Sequence, residues 1–384
     1  MKVTIAIDSL KGSLSSMEAG LAIKKGIKKA MPNAEVCVRP LADGGEGTVE
    51  ALTSALGGTI QNVEVLGPLG EKVMAKYGIM EHTGTAVMEM SQAAGITLVP
   101  KEKRNPFYTT TYGVGQMIKD AIRKGCRRFI IGIGGSATND GGIGMLQALG
   151  YDFLNARGES IAYGAKGIEE LESISGNRVL PELKECEFRI ACDVTNELCG
   201  ANGCSAVFGP QKGAAPAMVE QMDQWISHYA ELSKELFPKA NPEYPGTGAA
   251  GGLGFAFLTY TNATLEPGIK IVLEEIKLAD DIQDADFVIT GEGKLDRQTI
   301  MGKAPVGVAK LAKQFGKRVL AFSGSVTKDA FLCNEHGIDA FFPILRSATT
   351  LEEAMEPEKA RDNLTDTAEQ VFRLIKVCSE KETL

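Results

Sequence analysis

Val3-Thr4-Ile5-Ala6-Ile7-Asp8-Ser9-Leu10-Lys11-Gly12-Ser13 begins as a short apolar strand and ends in a loop carrying an acid, hydroxyls and a lysine. Ser15 and Glu18 follow with the spacing of a capping box, which predicts a helix start. Ala19, Ile23, Ile27 and Ala30 then share one helix face, and Pro32 ends the helix. Strand, loop and amphipathic helix make one β-loop-α unit. Units of this kind stack into a parallel sheet covered by helices.

The pattern repeats along the chain. Glu35–Val38 leads into Asp43-Gly44-Gly45-Glu46-Gly47-Thr48, and Phe129–Ile131 into Gly134-Gly135-Ser136-Ala137-Thr138-Asn139-Asp140-Gly141-Gly142. Arg189–Ala191 leads into Asp193-Val194-Thr195-Asn196, and Phe287–Ile289 into Gly291-Glu292-Gly293-Lys294-Leu295-Asp296. Glycine lets backbone approach a ligand, and successive N–H groups at a loop-to-helix junction favour phosphate. Carboxylates beside them suit a hydrated Mg²⁺. Loops at the carboxyl ends of strands line the ligand crevice of an open α/β sheet. Together they point to phosphate chemistry carried by a metal nucleotide.

Two stretches break the rhythm. From Gln61, short β runs at Val63–Val65, Val73–Tyr77 and Ala86–Met90 alternate with turns at Gly67–Gly70 and His82–Gly84, the texture of an antiparallel meander. After Asn196 come a glycine-rich segment, a long helix from Pro216 to Phe237, and Gly248-Ala249-Ala250-Gly251-Gly252-Leu253-Gly254. The expected fold is therefore α/β. A parallel Rossmann-like sheet of about seven strands, covered on both faces, is drawn from residues 1–59, 108–196 and 285–384. A smaller α+β lobe is inserted as 60–107 and 197–284.

The 384 residues are 44% hydrophobic, enough for an ample core. A net charge of -8 argues against a nucleic-acid partner. The basic helix bearing Lys24, Lys25, Lys28 and Lys29 reads as a solvated face. No apolar run has the length of a membrane span, and Asp8 interrupts the N-terminal one. Eight dispersed cysteines with no C-x-x-C pair fit reduced thiols in a cytoplasmic enzyme. The spacing of Cys186, Cys192, Cys199 and Cys204 matches no zinc pattern.

Absent motifs narrow the chemistry. The Gly-Lys pairs at 293–294, 302–303 and 316–317 lack the first glycine and the hydroxyl residue of a P-loop. There is no H-E-x-x-H and no G-x-S-x-G, and the three histidines have no ligand spacing. Carboxylates, lysines and backbone amides must carry the reaction. Gly132-Ile133-Gly134-Gly135-Ser136-Ala137 has the form of a dinucleotide fingerprint, and Asn155 with Arg157 leaves an NADP-dependent oxidoreductase open. Asn139 and Asp140 oppose it, since a carboxylate there repels a pyrophosphate. Asp43 and Glu46 can face one metal or hydroxyl, or merely make a tight turn and a helix start. The loop 291–303 is either a phosphate site or an ion-paired surface loop.

The motifs Ile7–Ser13, Arg39–Thr48, Gly134–Gly142, Cys192–Asn196, Gly248–Gly254 and Gly291–Thr299 resemble, in order and over essentially the whole chain, the type-1 glycerate kinase family. Asn196-Glu197-Leu198 departs from the family pattern, which has a proline after the Asn. The resemblance implies phosphorylation of D-glycerate by ATP with Mg²⁺, the 2-hydroxyl favoured over the 3-hydroxyl, in a cleft between two domains. It leaves a homodimer open. Within that frame, chemistry assigns roles. Gly134, Gly135, Ser136, Ala137 and Thr138, with Asn139 and Asp140 beyond and Gly291 and Gly293 opposite, would cradle ATP phosphates. Lys11, Lys294 or Lys303 would meet the γ-phosphate. Asp193, Glu292 or Asp296 would hold Mg²⁺. Arg39 and Lys11 would face the glycerate carboxylate, with Ser9, Gly44, Gly45 and Glu46 around the substrate. Asp43 or Asp193 would deprotonate the attacking hydroxyl, with Asp8 beside Lys11 as a further catalytic candidate. The inserted lobe would close to exclude water. A sensor that binds sugar acids without turnover is the other rival.

Overall fold

A computed structural model describes residues 1–380. Its strands run in chain order β1 (Lys2–Ile7), β2 (Glu35–Pro40), β3 (Thr59–Leu66), β4 (Lys72–Met80), β5 (Thr85–Glu89), β6 (Arg128–Gly132) and β7 (Asp152–Leu154). They continue as β8 (Ser173–Ser175), β9 (Glu187–Ala191), β10 (Ala263–Glu266), β11 (Phe287–Leu295), β12 (Arg318–Val326) and β13 (Ala340–Pro343). The chain forms two compact units. Unit 1 holds Met1–Asp43, Ser54–Leu56 and the described residues from Ile269 onward; unit 2 holds Gly44–Thr53 and Gly57–Gly268.

Unit 1 is a parallel sheet in the order β13-β12-β11-β1-β2. The capping box is formed: the Ser15 side chain accepts from the Glu18 N–H, and the helix Ser16–Ala30 buries Ala19, Ile23, Ile27 and Ala30. That helix packs on Pro357–Glu380. Gly26 permits the approach, because a Cβ there would fall 2.2 Å from the Thr365 carbonyl oxygen. Ile5, Ile289, Phe322, Leu364 and Phe372 fill the core between sheet and helices. From β1 the chain crosses to β2 on one side and later returns as β11 on the other. The strand order thus switches direction between β1 and β11, and a ligand crevice is expected outside the carboxyl ends there.

Unit 2 has a mixed sheet, β10-β9-β6-β5-β4-β3. The expected meander is present: β3, β4 and β5 are antiparallel neighbours. It does not stand apart. β5 pairs in parallel with β6, β6 with β9, and β9 with β10. The helix Tyr112–Arg123 buries Val114, Met117, Ile118, Ala121 and Ile122, the face read from the sequence.

The structure corrects the expected strand partition. The sequence pattern places the strands around Phe129–Ile131 and Phe188–Ala191 with β1, yet they join the meander and β10 in the second sheet. The reason is physical. A strand buried on both faces has the same local texture in either sheet, and only pairing distinguishes them. The α/β class with parallel-dominated sheets is as expected. No helix among the described residues is long and apolar enough to cross a membrane. All eight cysteines are free.

Candidate active site

In unit 1, carboxylates gather at the carboxyl ends of β1, β2 and β11. Asp8 follows β1 and is only 4% exposed. Its N–H donates to Gly291 O at 2.9 Å, tying it to β11, and its Oδ1 accepts the Ser9 N–H at 2.7 Å. Asp43 lies in the loop after β2, with Lys11 Nζ 3.7 Å from its Oδ2. Glu292, buried in β11, accepts from Thr299 Oγ1 at 2.6 Å and faces Lys303 Nζ at 3.7 Å.

These groups act on one another. Burial, with Asp43 and Glu292 facing it, pushes the Asp8 carboxyl up to about 7, against the pull of the Ser9 N–H and Lys11. Burial also raises Glu292, with Asp296 and Asp43 adding to it, while Thr299 and Lys303 draw it back. Asp296 behaves oppositely. Burial works against its charge, but the Gln298 N–H, Lys303 and Lys294 hold it below the ordinary carboxylate range. A carboxyl poised near neutrality, beside lysines and at a sheet switch point, is suited to proton transfer.

Gly291 fixes this arrangement. Its φ is +151°, and a Cβ would sit 1.8 Å from Phe322 O on β12. Only glycine lets the two strands run side by side where Glu292 turns into the site.

Among the described residues, no three His, Cys, Asp or Glu side chains make a ready metal cage. Mg²⁺ asks for less, usually one or two carboxylates, with water and phosphate oxygens completing the shell. Asp8, Asp43 and Glu292 are hard oxygen donors. Asp43 opposes the ionisation of both neighbours, a repulsion that a bound cation relieves. The donor set fits Mg²⁺.

Unit 2 contains the glycine-rich loop after β6. Gly134 and Gly135 are exposed, whereas Ser136 to Asp140 are buried. Asp140 is a structural anchor: its Oδ2 accepts from Thr111 N and Oγ1 at 2.8 and 2.9 Å and from Gly144 N at 3.3 Å, and its Oδ1 from Gly142 N at 3.2 Å. Burial raises its pKa, and these donors pull it down. The Asn139 amide donates to Ser205 Oγ at 2.9 Å. The next helix starts at Ile143, six positions beyond Ala137, so the loop does not open a helix as a dinucleotide fingerprint must.

The remaining candidates are placed as follows. Asp193 is exposed after β9, and its Oδ1 accepts the Gly268 N–H at 3.0 Å. Glu46 is exposed, and Gly44 packs so closely that a Cβ would lie 2.8 Å from Ala191 Cβ. Lys294 is exposed beside Asp296, 3.4 Å away. Arg39 binds Asp281 through Nε at 2.6 Å and Nη2 at 2.9 Å, a structural pair rather than a waiting carboxylate clamp. That partner lies 242 positions away and leaves no local signal. Glu89 went unread. Buried at the end of β5, it accepts the N–H groups of Gly47 and Val49, both at 3.0 Å, and so holds the 44–48 loop. A lone acid closing an apolar strand is its only sequence trace.

Comparison with known proteins matches residues 3–376 to the glycerate kinase family model. A glycerate 2-kinase of Escherichia coli K12 is 48% identical over 364 residues, covering 95% of each chain. A glycerate kinase of Haemophilus influenzae is 46% identical over 375 residues, covering 98% of this chain and 99% of the relative. A crystal structure from Salmonella typhimurium LT2, named as a glycerate kinase 2, superposes with a TM-score of 0.92 at 45% identity over 99% of both chains.

Proposed function

The chain belongs to the glycerate kinase family, and from that premise we propose that it transfers the γ-phosphoryl group of ATP to the 2-hydroxyl of D-glycerate. The observation that carries the reading is the convergence of Asp8, Asp43 and Glu292 with Lys11 and Lys303 at the switch point of the unit 1 sheet. Phosphoryl transfer needs positioning, charge neutralisation and a proton acceptor, and this cluster has groups for each.

Asp8 takes the proton of the attacking hydroxyl: it closes β1 at the switch point with Lys11 and Asp43 about it, and burial raises its carboxyl towards neutrality. Asp43 orients Lys11, which meets an anionic oxygen of donor or acceptor. Lys303, held on Glu292, supplies a second positive charge to the transferring group. Asp43 and Glu292 would hold Mg²⁺, which when bound neutralises phosphate charge. The amides of the 134–138 loop are assigned to the nucleotide phosphates. Asp193, Asp296 and Lys294 are kept outside the reacting centre. The family argues against the oxidoreductase, as does the late helix start after the 134–140 loop. The enzyme acts in the cytoplasm on small-molecule partners.

A coupled ADP-release assay with ATP, Mg²⁺ and D-glycerate tests this, with NMR of the product. Turnover yielding 2-phosphoglycerate is the expected result. 3-Phosphoglycerate would overturn the choice of hydroxyl, and no glycerate-dependent ADP would overturn the function.

A further inference from the structure

Lys212 lies beside the glycine-rich loop of unit 2, with the Arg104 backbone packed against the turn that carries it, and among the described residues neither cation is bonded to a carboxylate. Lys212 closes the short turn Pro210–Lys212 and is 2% exposed. Its ammonium donates to Thr138 O at 2.6 Å, its one bond among the described residues; an ammonium has three donors. Arg104 is adjacent. Gly213, at φ +95°, packs so tightly on it that a Cβ would fall 2.2 Å from the Arg104 carbonyl oxygen. Arg104 Nε is buried without an acceptor.

The loop itself is short of partners. Thr138 Oγ1, a hydroxyl that can donate, is buried and unpartnered among the described residues; Asn139 Oδ1 is unpartnered too, but as an acceptor it takes no part in holding an anion. Among the described residues, no acceptor receives the backbone N–H groups of Gly134, Gly135, Ser136 or Thr138, although Ala137 N–H is bonded to Ala94 O. A buried ammonium without a bonded counter-ion is costly. Asp140, the carboxylate that faces it, spends its oxygens on Thr111, Gly142 and Gly144. Unused donors of one sign on three segments call for an anion.

We propose that Lys212, Arg104 and the free amides of Gly134–Thr138 form one oxyanion site, which takes a nucleotide phosphate or the carboxylate of the acid substrate. The preference for phosphate rests on the assignment of this loop given above. Burial holds the Lys212 ammonium down at about 8, with Cys204 and Asp140 pulling upward, so it still carries charge at neutral pH.

The test is calorimetric titration of the full chain with ATP and, separately, with D-glycerate, for Lys212→Met, Lys212→Arg and Arg104→Met. Lys212→Met is close in shape and removes a buried charge, so its melting temperature should hold or rise. Its ATP affinity should nevertheless fall about tenfold or more. A merely structural lysine would move both together. Lys212→Arg should keep much of the affinity, and Arg104→Met should repeat the loss, which preserves the test if Lys212→Met fails to fold. Loss of glycerate affinity alone would keep the anion site but overturn the nucleotide assignment of the loop. Unchanged affinity for both ligands would overturn the proposal.

Discussion

Asp8 carries an ionisation that works against the native state. Its carboxyl holds a proton up to about pH 7 when folded, against an ordinary value of 3.8. Between those values the native chain binds more protons than the unfolded one, so stability falls as pH rises through the window. Asparagine keeps the shape and cannot ionise. Asp8→Asn should therefore match the native chain near pH 4 and exceed it by up to about 4 kcal/mol at pH 8. Urea unfolding at the two pH values checks this, and equal stability at pH 8 would contradict the burial of that charge. Arg39 gives a second residue-scale outcome. Arg39→Gln removes the ion pair to Asp281, leaving that carboxylate only the Cys37 thiol as a donor among the described residues, and should cost about 1 kcal/mol, while KM for glycerate stays unchanged. A large rise in KM would return Arg39 to the substrate site.

At the scale of elements, β11 and its neighbours fix the site. Gly291→Ala would drive a methyl into Phe322 O, so the edges of β11 and β12 must part. A loss of about 3 kcal/mol or more is expected, with activity lost alongside. A stable, active Gly291→Ala would mean that strand spacing does not hold Glu292. Much of this level was legible beforehand. Apolar strands ending in Asp8 and Glu292 announced themselves by local pattern, as did the capping box at Ser15. Pairing did not, because β6 and β9 look the same from within whichever sheet they join. The same limit hid Asp281 from Arg39. It also hid Lys212 and Arg104, which sit in no motif and acquire meaning only where Lys212 meets Thr138 and Arg104 meets Gly213.

At the scale of the whole molecule, each unit has its own sheet and core. Unit 1 concentrates negative charge and paired lysines at a sheet switch point, the setting in which a perturbed carboxyl does acid–base work. In unit 2, Lys212 and Arg104 have no bonded carboxylate among the described residues, and most amides of the 134–138 loop have no acceptor there. The family relationship explains why both persist in one chain, since a kinase must bind phosphate and also move a proton. The central claim is that Asp8 and Asp43 belong to the reacting centre. Steady-state ADP release with saturating ATP and D-glycerate, measured for Asp8→Asn and Asp43→Asn after both are shown to be folded, tests it most directly. The account predicts that kcat falls by about two to four orders of magnitude in each. Turnover near that of the native chain in both would contradict it.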